Sequence, residues 1–558
     1  MQTEMAQRVH ETEPEAPPPP VTADIFLRHW ASQTPDAQAL SDGPNRAALG
    51  LGPSRHLSFA VANQIVDRIA GNLAAHGLKP GDVLALQLPN ICEATLIMAA
   101  AWRAGLVPCT LPLLWRLSEI HAAFGQVEPA AVVCMGRSLV SDNAETMREA
   151  AAQHVTVRFV FGLGSGLPDG VTPIDHWLEE TPSFIGGSLP GAAKAIKANT
   201  PAVMTWSTTP AGTFAVPRSH GELIDIGKVF VGRLGLSGRD TLLNTYPLAT
   251  ITAIGGQLVP WLLTGASLTL HQPFDFAIFV DQLDAQKVTY TAVPAPVIAA
   301  LAEDQHFHAQ AQGLKRIGCV WPVSYRAGKA TGLSDVPVPL YDIHNFSELA
   351  LMVRQRDDAE DPMRLPLGKQ ISPSGEDEPT VYLETRVRGS VKNAATELSV
   401  LKGELLVRGA TTPHGPFTSA GIRAQTALRP DAHGYLDTQI LCSVDETVTG
   451  HFRCEPNAGL IQHGGVAVAA SELDALYADF PDLLDAAALS IDCPVLGDRI
   501  AAAVVPRPDV APSLDDLKAF LGDRKVASYK LPDQLVVVNE IPRQPDGQVM
   551  RDQILAQI

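Results

Sequence analysis

The residues with the most chemical content form one stretch, Thr205-Trp206-Ser207-Thr208-Thr209-Pro210-Ala211-Gly212-Thr213-Phe214-Ala215-Val216-Pro217-Arg218-Ser219-His220. Hydroxyls gathered around a glycine, followed by an arginine and a histidine, suit a loop that meets a phosphate or a carboxylate. Such loops work by presenting exposed backbone N–H groups and a cation to the anion. This stretch is poor in both. It has one glycine, and its one cation, Arg218, stands at its far end. Whether it still holds a phosphate is therefore the first question the chain poses.

Other nucleophile and phosphate patterns are absent. There is no GxxxxGK[ST], no GxGxxG between a strand and a helix, and no GxSxG elbow. The seven cysteines, at 92, 109, 134, 319, 442, 454 and 493, form neither a CxxC nor a Cys/His spacing that suits zinc. An odd, scattered set reads as reduced core thiols of a cytoplasmic protein. Acidic residues exceed basic ones, 60 against 42, for a net charge of −18. That balance repels nucleic acid and anionic membranes. No uncharged apolar run is long enough to span a bilayer; the stretch 94–108 is broken by Arg103. Glu4, Glu11, Glu13 and Glu15 flank no apolar core, so residues 1–20 do not read as a signal peptide. With Pro17 to Pro20 they read as a polar, proline-rich arm.

The elements that must position the loop are legible from period and punctuation. Ser58 is the expected N-cap of a helix carrying Phe59, Ala62, Ile65, Val66, Ile69 and Leu73, stopped by Gly77. Lys79-Pro80-Gly81-Asp82 is a turn, Val83–Leu88 a strand, Cys92–Ala104 a helix closed by Gly105, and Val107–Leu111 the next strand. Strands alternating with helices imply an α/β fold with parallel-rich sheets layered by helices. Near residue 450 the pattern changes. Ile461–Val466 reads as a strand with Gly464-Gly465 inside it, Glu472–Tyr477 as a helix, Ala486–Ile491 and Ala501–Pro506 as strands, and Leu514–Leu521 as a helix. The expected division is an arm of residues 1–20, a large α/β domain of 21–450, and a small, mobile α+β domain of 451–558.

At this point separate stretches agree with one family. The order and spacing of Leu78-Lys79-Pro80-Gly81-Asp82, the 205–220 loop, Phe346-Ser347-Glu348, Gly403-Glu404-Leu405-Leu406-Val407-Arg408-Gly409, Gly434-Tyr435-Leu436-Asp437-Thr438, Gly464-Gly465 with Val468 and Glu472, and Tyr529-Lys530-Leu531-Pro532-Asp533 resemble the AMP-forming acyl-CoA synthetase, luciferase and adenylation-domain superfamily. The Pro217-Arg218-Ser219-His220 tail is most like the aryl-acid ligases. The resemblance implies a large domain that binds a carboxylic acid and ATP. It also implies a small domain that rotates between adenylation and thioester formation. The thiol partner would be CoA or the phosphopantetheine arm of a carrier protein.

The departures from that family cluster on the nucleotide. Thr208 and Ala211 stand for two loop glycines, Thr213 for a proline and Phe214 for the loop lysine. Gln548 replaces the lysine that bridges the reacting oxygens. Loss of one such preorganised donor costs on the order of 10²–10³ in rate. Ile440 stands at the ribose aspartate, Pro456 near the family arginine, and Ala458 near the hinge charge. Losing three charged contacts removes about 5–9 kcal/mol, against about 8 kcal/mol for an entire micromolar complex.

Kept positions supply the remaining site. The resemblance places Thr208, Thr209, Gly212, Ser347 and Glu348 around the nucleotide, with Glu348 at the magnesium position. It places His220, Thr250, Trp321, Asn345, Gly464 and Gly465 around the acid and its thiol tunnel, with Trp321 in the adenine slot. Gln548 and His344 are the candidate catalytic groups; local structural roles for His220, His344 and the Gly-Gly pair stand beside these readings. The leading expectation is a family member that binds a carboxylic acid or acyl thioester but has lost ATP-dependent adenylation, as an ATP-independent acyl-transfer enzyme or a pseudoenzyme. The alternatives are a working ligase with Arg218 or Lys530 as relocated cation, and a non-catalytic partner of a synthetase or carrier protein.

Overall fold

The computed structural model describes residues 22–137, 142–180, 197–321, 336–357, 361–372, 381–389, 400–414, 428–445, 450–457, 459–493 and 497–558. The arm 1–20, Pro322-Val323, Ala458 and the centre of the acidic run at 358–360 lie outside them.

Two parallel-rich sheets carry the large domain. The first has eight strands in the order Ala350–Gln355, Leu340–Phe346, Arg316–Trp321, Tyr290–Pro294, Thr241–Asn244, Ser267–Leu270, Gln38–Ser41 and His56–Ser58. Its two edge strands are antiparallel and the rest are parallel. The second has seven strands in the order Thr172–Pro173, Phe159–Leu163, Ala131–Met135, Val83–Gln87, Val107–Thr110, Pro201–Thr209 and Gly212–Ser219. The alternation of strands and helices read from the sequence is the alternation found.

Helix signals act as expected. Ser58 caps the helix Phe59–Ala75, its side chain accepting from Val61 N. Phe59, Ala62, Ile65, Val66, Ile69 and Leu73 are buried, at about 1.5–3 kcal/mol for each large side chain. Cys92–Ala104 ends at Gly105, whose left-handed backbone a Cβ would strain.

An antiparallel six-stranded sheet completes the large domain in the order Leu365–Pro366, His451–Cys454, Leu436–Asp445, Val400–Arg408, Val381–Arg388 and Gly368–Ile371. The small domain is a five-stranded sheet. It runs Val466–Ala469, Leu460–His463, Gly497–Pro506 and Leu483–Cys493, with Gln534–Val537 paired to Gly497–Pro506. Helices Ala470–Ala478 and Leu514–Asp523 pack on it through Leu473, Tyr477, Leu517 and Leu521. The sequence places Gly464-Gly465 inside a strand, but the structure does not. The pair is the two-residue turn joining Leu460–His463 to Val466–Ala469, and both glycines have positive φ.

Candidate functional site

The 205–220 stretch folds as a hairpin. Pro201–Thr209 and Gly212–Ser219 pair antiparallel, with Thr208 opposite Thr213 and Thr209 opposite Gly212. Both strands carry apolar runs, Ala202-Val203-Met204 and Phe214-Ala215-Val216, and are buried for most of their length, as a strand inside a layered sheet is. The hairpin's backbone is thereby committed to cross-strand pairing, and its hydroxyls are used locally. Thr208 Oγ1 lies 3.1 Å from Thr213 Oγ1, and Thr209 Oγ1 donates to Gly212 O at 3.3 Å. Phe214 is buried in the core of the large domain.

A cavity of about 660 Å³ opens beside this hairpin, between the large and small domains. Its apolar wall comes from Leu113, Leu114, Trp115, Trp206, Val320 and Trp321. Trp115 and Trp206 meet edge-on, ring centroids 5.1 Å apart. Trp321 is fixed from behind: its indole N–H donates to Asp342 Oδ1 at 2.7 Å, and Arg356, ion-paired to Asp342, lies over its ring.

The polar wall is built at the end of Leu340–Phe346 and in the following turn. Asn345 Nδ2 donates to Glu348 Oε1 at 2.5 Å, and Glu348 N donates back to Asn345 Oδ1 at 2.9 Å. Glu348 Oε2 accepts from Ile251 N at 2.7 Å. Ser347 and Glu348 have φ of 53° and 59°, a turn that this reciprocal pair holds in place. Burial pushes the Glu348 carboxyl above the usual carboxylate range, against the hydrogen bonds from Asn345 and Ile251. Thr250 Oγ1 accepts from Ala253 N, and Thr252 Oγ1 from Asn345 Nδ2.

Among the described residues lining the cavity, Glu348 and Lys530 are the charged ones. Lys530 Nζ lies 3.1 Å from Glu119 and 2.5 Å from Glu472. Burial opposes its charge, but Tyr529, Glu119 and Glu472 outweigh burial and raise its pKa above that of an ordinary lysine.

Of the residues expected from sequence, Thr208, Thr250, Trp321, Asn345, Ser347, Glu348 and Gly465 come together around this cavity. Six do not line it. Thr209 and Gly212 close the hairpin turn, and Gly464 is the other half of the glycine turn. His220 begins the helix His220–Leu234 with its side chain inside the core, where Nδ1 accepts from Ala23 N at 3.1 Å. Burial lowers its pKa to about 4.

His344 neighbours Asn345 on one strand, so the two point to opposite faces. Asn345 lines the cavity, whereas His344 is buried between Trp321 and Phe346, its pKa lowered to about 3 by burial. Gln548 sits in an exposed turn, its N donating to Asp546 Oδ1 and its O accepting from Gln544 N. Arg218, the expected substitute cation, is fully buried and donates to Thr411 O and Glu348 O.

Trp115, Trp206, Tyr246 and Tyr529 also line the cavity and are not among the residues expected there; they arrive from four distant segments. Asn244-Thr245-Tyr246-Pro247, a polar and aromatic run leaving a strand, was the one cue available.

A magnesium nucleotide fits these residues poorly. The Glu348 oxygens already accept hydrogen bonds, the hairpin backbone is paired, and Lys530 is shared by two carboxylates. Among the described residues, no group of three or more His, Cys, Asp and Glu side chains is placed to hold a metal ion. Ile440 is buried in the core, beside Thr438, which donates to Leu405 O.

Comparison with known proteins fixes the class. Residues 27–353 match the AMP-binding enzyme family and residues 472–548 its C-terminal domain. The chain belongs to the AMP-binding enzyme family. It is 28% identical to a salicyl-AMP ligase / salicyl-S-ArCP synthetase of Mycobacterium tuberculosis, covering 96% of this chain and 91% of that protein. It is 25% identical to enterobactin synthase component E of Escherichia coli, covering 95% and 93%. Among solved structures it shares the fold of the amide bond synthetase McbA from Marinactinospora thermotolerans. That match has a TM-score of 0.74 at 18% identity, over 96% of this chain and all of that one. Among the described residues, no helix is long and apolar enough to cross a membrane.

Proposed function

We propose that this chain is a member of the aryl-acid branch of its family that holds an aromatic carboxylic acid or its acyl thioester without converting it to an adenylate. The observation carrying this reading is the hairpin at 201–219. A phosphate loop presents free N–H groups and a cation, whereas here the strands are laddered and Phe214 is buried where the lysine would stand. The paired state of Lys530 and the exposed position of Gln548 support the same reading. We also place the boundary between the two domains between Cys454, the last residue of the six-stranded sheet, and Leu460, the first of the small domain, rather than at 450.

The proposed role is ATP-independent acyl transfer, or retention of an acyl group for a carrier-protein or synthetase partner. The names of the relatives favour a second reading, a working aryl-acid ligase. Titration with MgATP in a calorimeter, paired with a pyrophosphate-release assay over a panel of aromatic acids, separates the two. Absence of nucleotide binding at millimolar ATP supports the first. Pyrophosphate release with any acid establishes the second.

A further inference from the structure

The cavity has an electrostatic imbalance. Its lining ammonium, Lys530, faces Glu119 and Glu472, and a third carboxylate, Glu348, stands in the same wall. An entering carboxylate finds, among the described lining residues, one carboxyl and one ammonium that is already shared by two carboxylates behind it. A buried ion without its own partner is costly.

What the wall does offer is neutral hydrogen-bond donors. Thr250 and Thr252 each accept through Oγ1 from an N–H, so the hydrogen of each hydroxyl is left for an acceptor in the cavity. The hydroxyls of Ser207 and Tyr246, two further lining residues, are closed to solvent and have no hydrogen-bond partner among the described residues, so only those of Thr250 and Thr252 are counted as donors to the cavity. Hydroxyl donors against an apolar, tryptophan-rich wall match an aromatic ring bearing a carbonyl. They supply no countercharge for a carboxylate.

Resting on the reading above, we infer that the ligand of this cavity is an uncharged aromatic acyl derivative, a thioester or ester, bound in preference to the free acid with the same acyl group. The preference is set by Lys530 being saturated by Glu119 and Glu472.

Binding of benzoate and of its N-acetylcysteamine thioester to the full-length protein, without nucleotide, tests this by calorimetry. The thioester is expected to bind about tenfold tighter or better at neutral pH, about 1.4 kcal/mol. Glu472→Gln, at a partly exposed helix position, frees half of the Lys530 charge. It is expected to raise benzoate affinity several-fold and leave thioester affinity unchanged. Equal or tighter binding of benzoate to the unaltered protein, or binding of neither probe, overturns the inference. A Glu472→Gln protein that gains no benzoate affinity overturns the role given to Lys530. Pyrophosphate release is measured separately on the same preparation. A protein that releases none yet prefers benzoate refutes the ligand class alone, and one that releases pyrophosphate refutes the loss of adenylation.

Discussion

Lys530 Nζ lies 3.1 Å from Glu119 Oε1 across the boundary between the small and large domains, and both side chains are almost closed to solvent. The same carboxylate caps its own helix and accepts from Ala527 N of the small domain. Lys525 pairs with Glu149 nearby. On the other side of the cavity, Ser471 Oγ donates to Pro210 O at 2.8 Å, and a Cβ on Gly459 would meet Pro210 at 2.8 Å. The hairpin tip at Pro210 is thus one of the surfaces on which the small domain is seated.

Removing one partner from a buried ion pair leaves an uncompensated charge and costs about 3–5 kcal/mol. Lys530→Met should therefore loosen the seating of the small domain, seen as faster hydrogen exchange around 455–459 and 525–531. Lys530→Met with Glu119→Gln should recover part of the loss, because the stranded carboxylate is removed as well. Exchange rates unchanged from the parent would show that the pair does not hold the domains.

Gln548→Lys should leave ATP–pyrophosphate exchange undetectable. The added cation would sit in an exposed turn outside the cavity, and on the proposed reading the laddered hairpin offers the nucleotide no cradle. Measurable exchange in this single variant would mean that the hairpin still admits a triphosphate.

Phe214→Lys should fail in a different way. Phe214 is 7% exposed within the large hydrophobic core. Truncating or charging such a site costs about 3–5 kcal/mol. Chemical denaturation should show the large domain destabilised by that order. A variant as stable as the parent would mean that residue 214 can reach the cavity, and would reopen the ligase reading.

Sequence made the scaffold legible where a local rule decides the outcome. Ser58 and Gly105 bound their helices because a hydroxyl cap and a left-handed glycine act within one turn. The Asn345–Glu348 turn was found because its residues are contiguous. Of the cavity's aromatic wall Trp321 is legible in the sequence, whereas Trp115, Trp206 and Tyr529 join it only through tertiary packing. His344, expected as a catalytic group, does not line the cavity. On a strand, neighbours alternate faces, so assigning Asn345 to the cavity already assigned His344 away from it. Gly464-Gly465 shows the reverse limit: the pair was recognised, but its register as a hairpin turn needed both flanking strands.

Two buried histidines set an acid limit on the fold. His220 and His344 have pKa values lowered by burial to about 4 and about 3, against about 6.5 for an ordinary histidine. Both are neutral when folded near pH 5, whereas the unfolded chain protonates them below 6.5. The unfolded state then binds more protons, so stability falls as the pH drops below 6.5, and the loss for His220 is complete near pH 4. Between pH 7 and 5 the His220 contribution is about 2 kcal/mol. His220→Gln keeps an oxygen that can accept from Ala23 N but removes the titration. Denaturant midpoints at the two pH values should therefore differ less in His220→Gln than in the parent, by that amount. An identical pH dependence in the two proteins would mean that His220 is already protonated, or already solvated, in the folded chain.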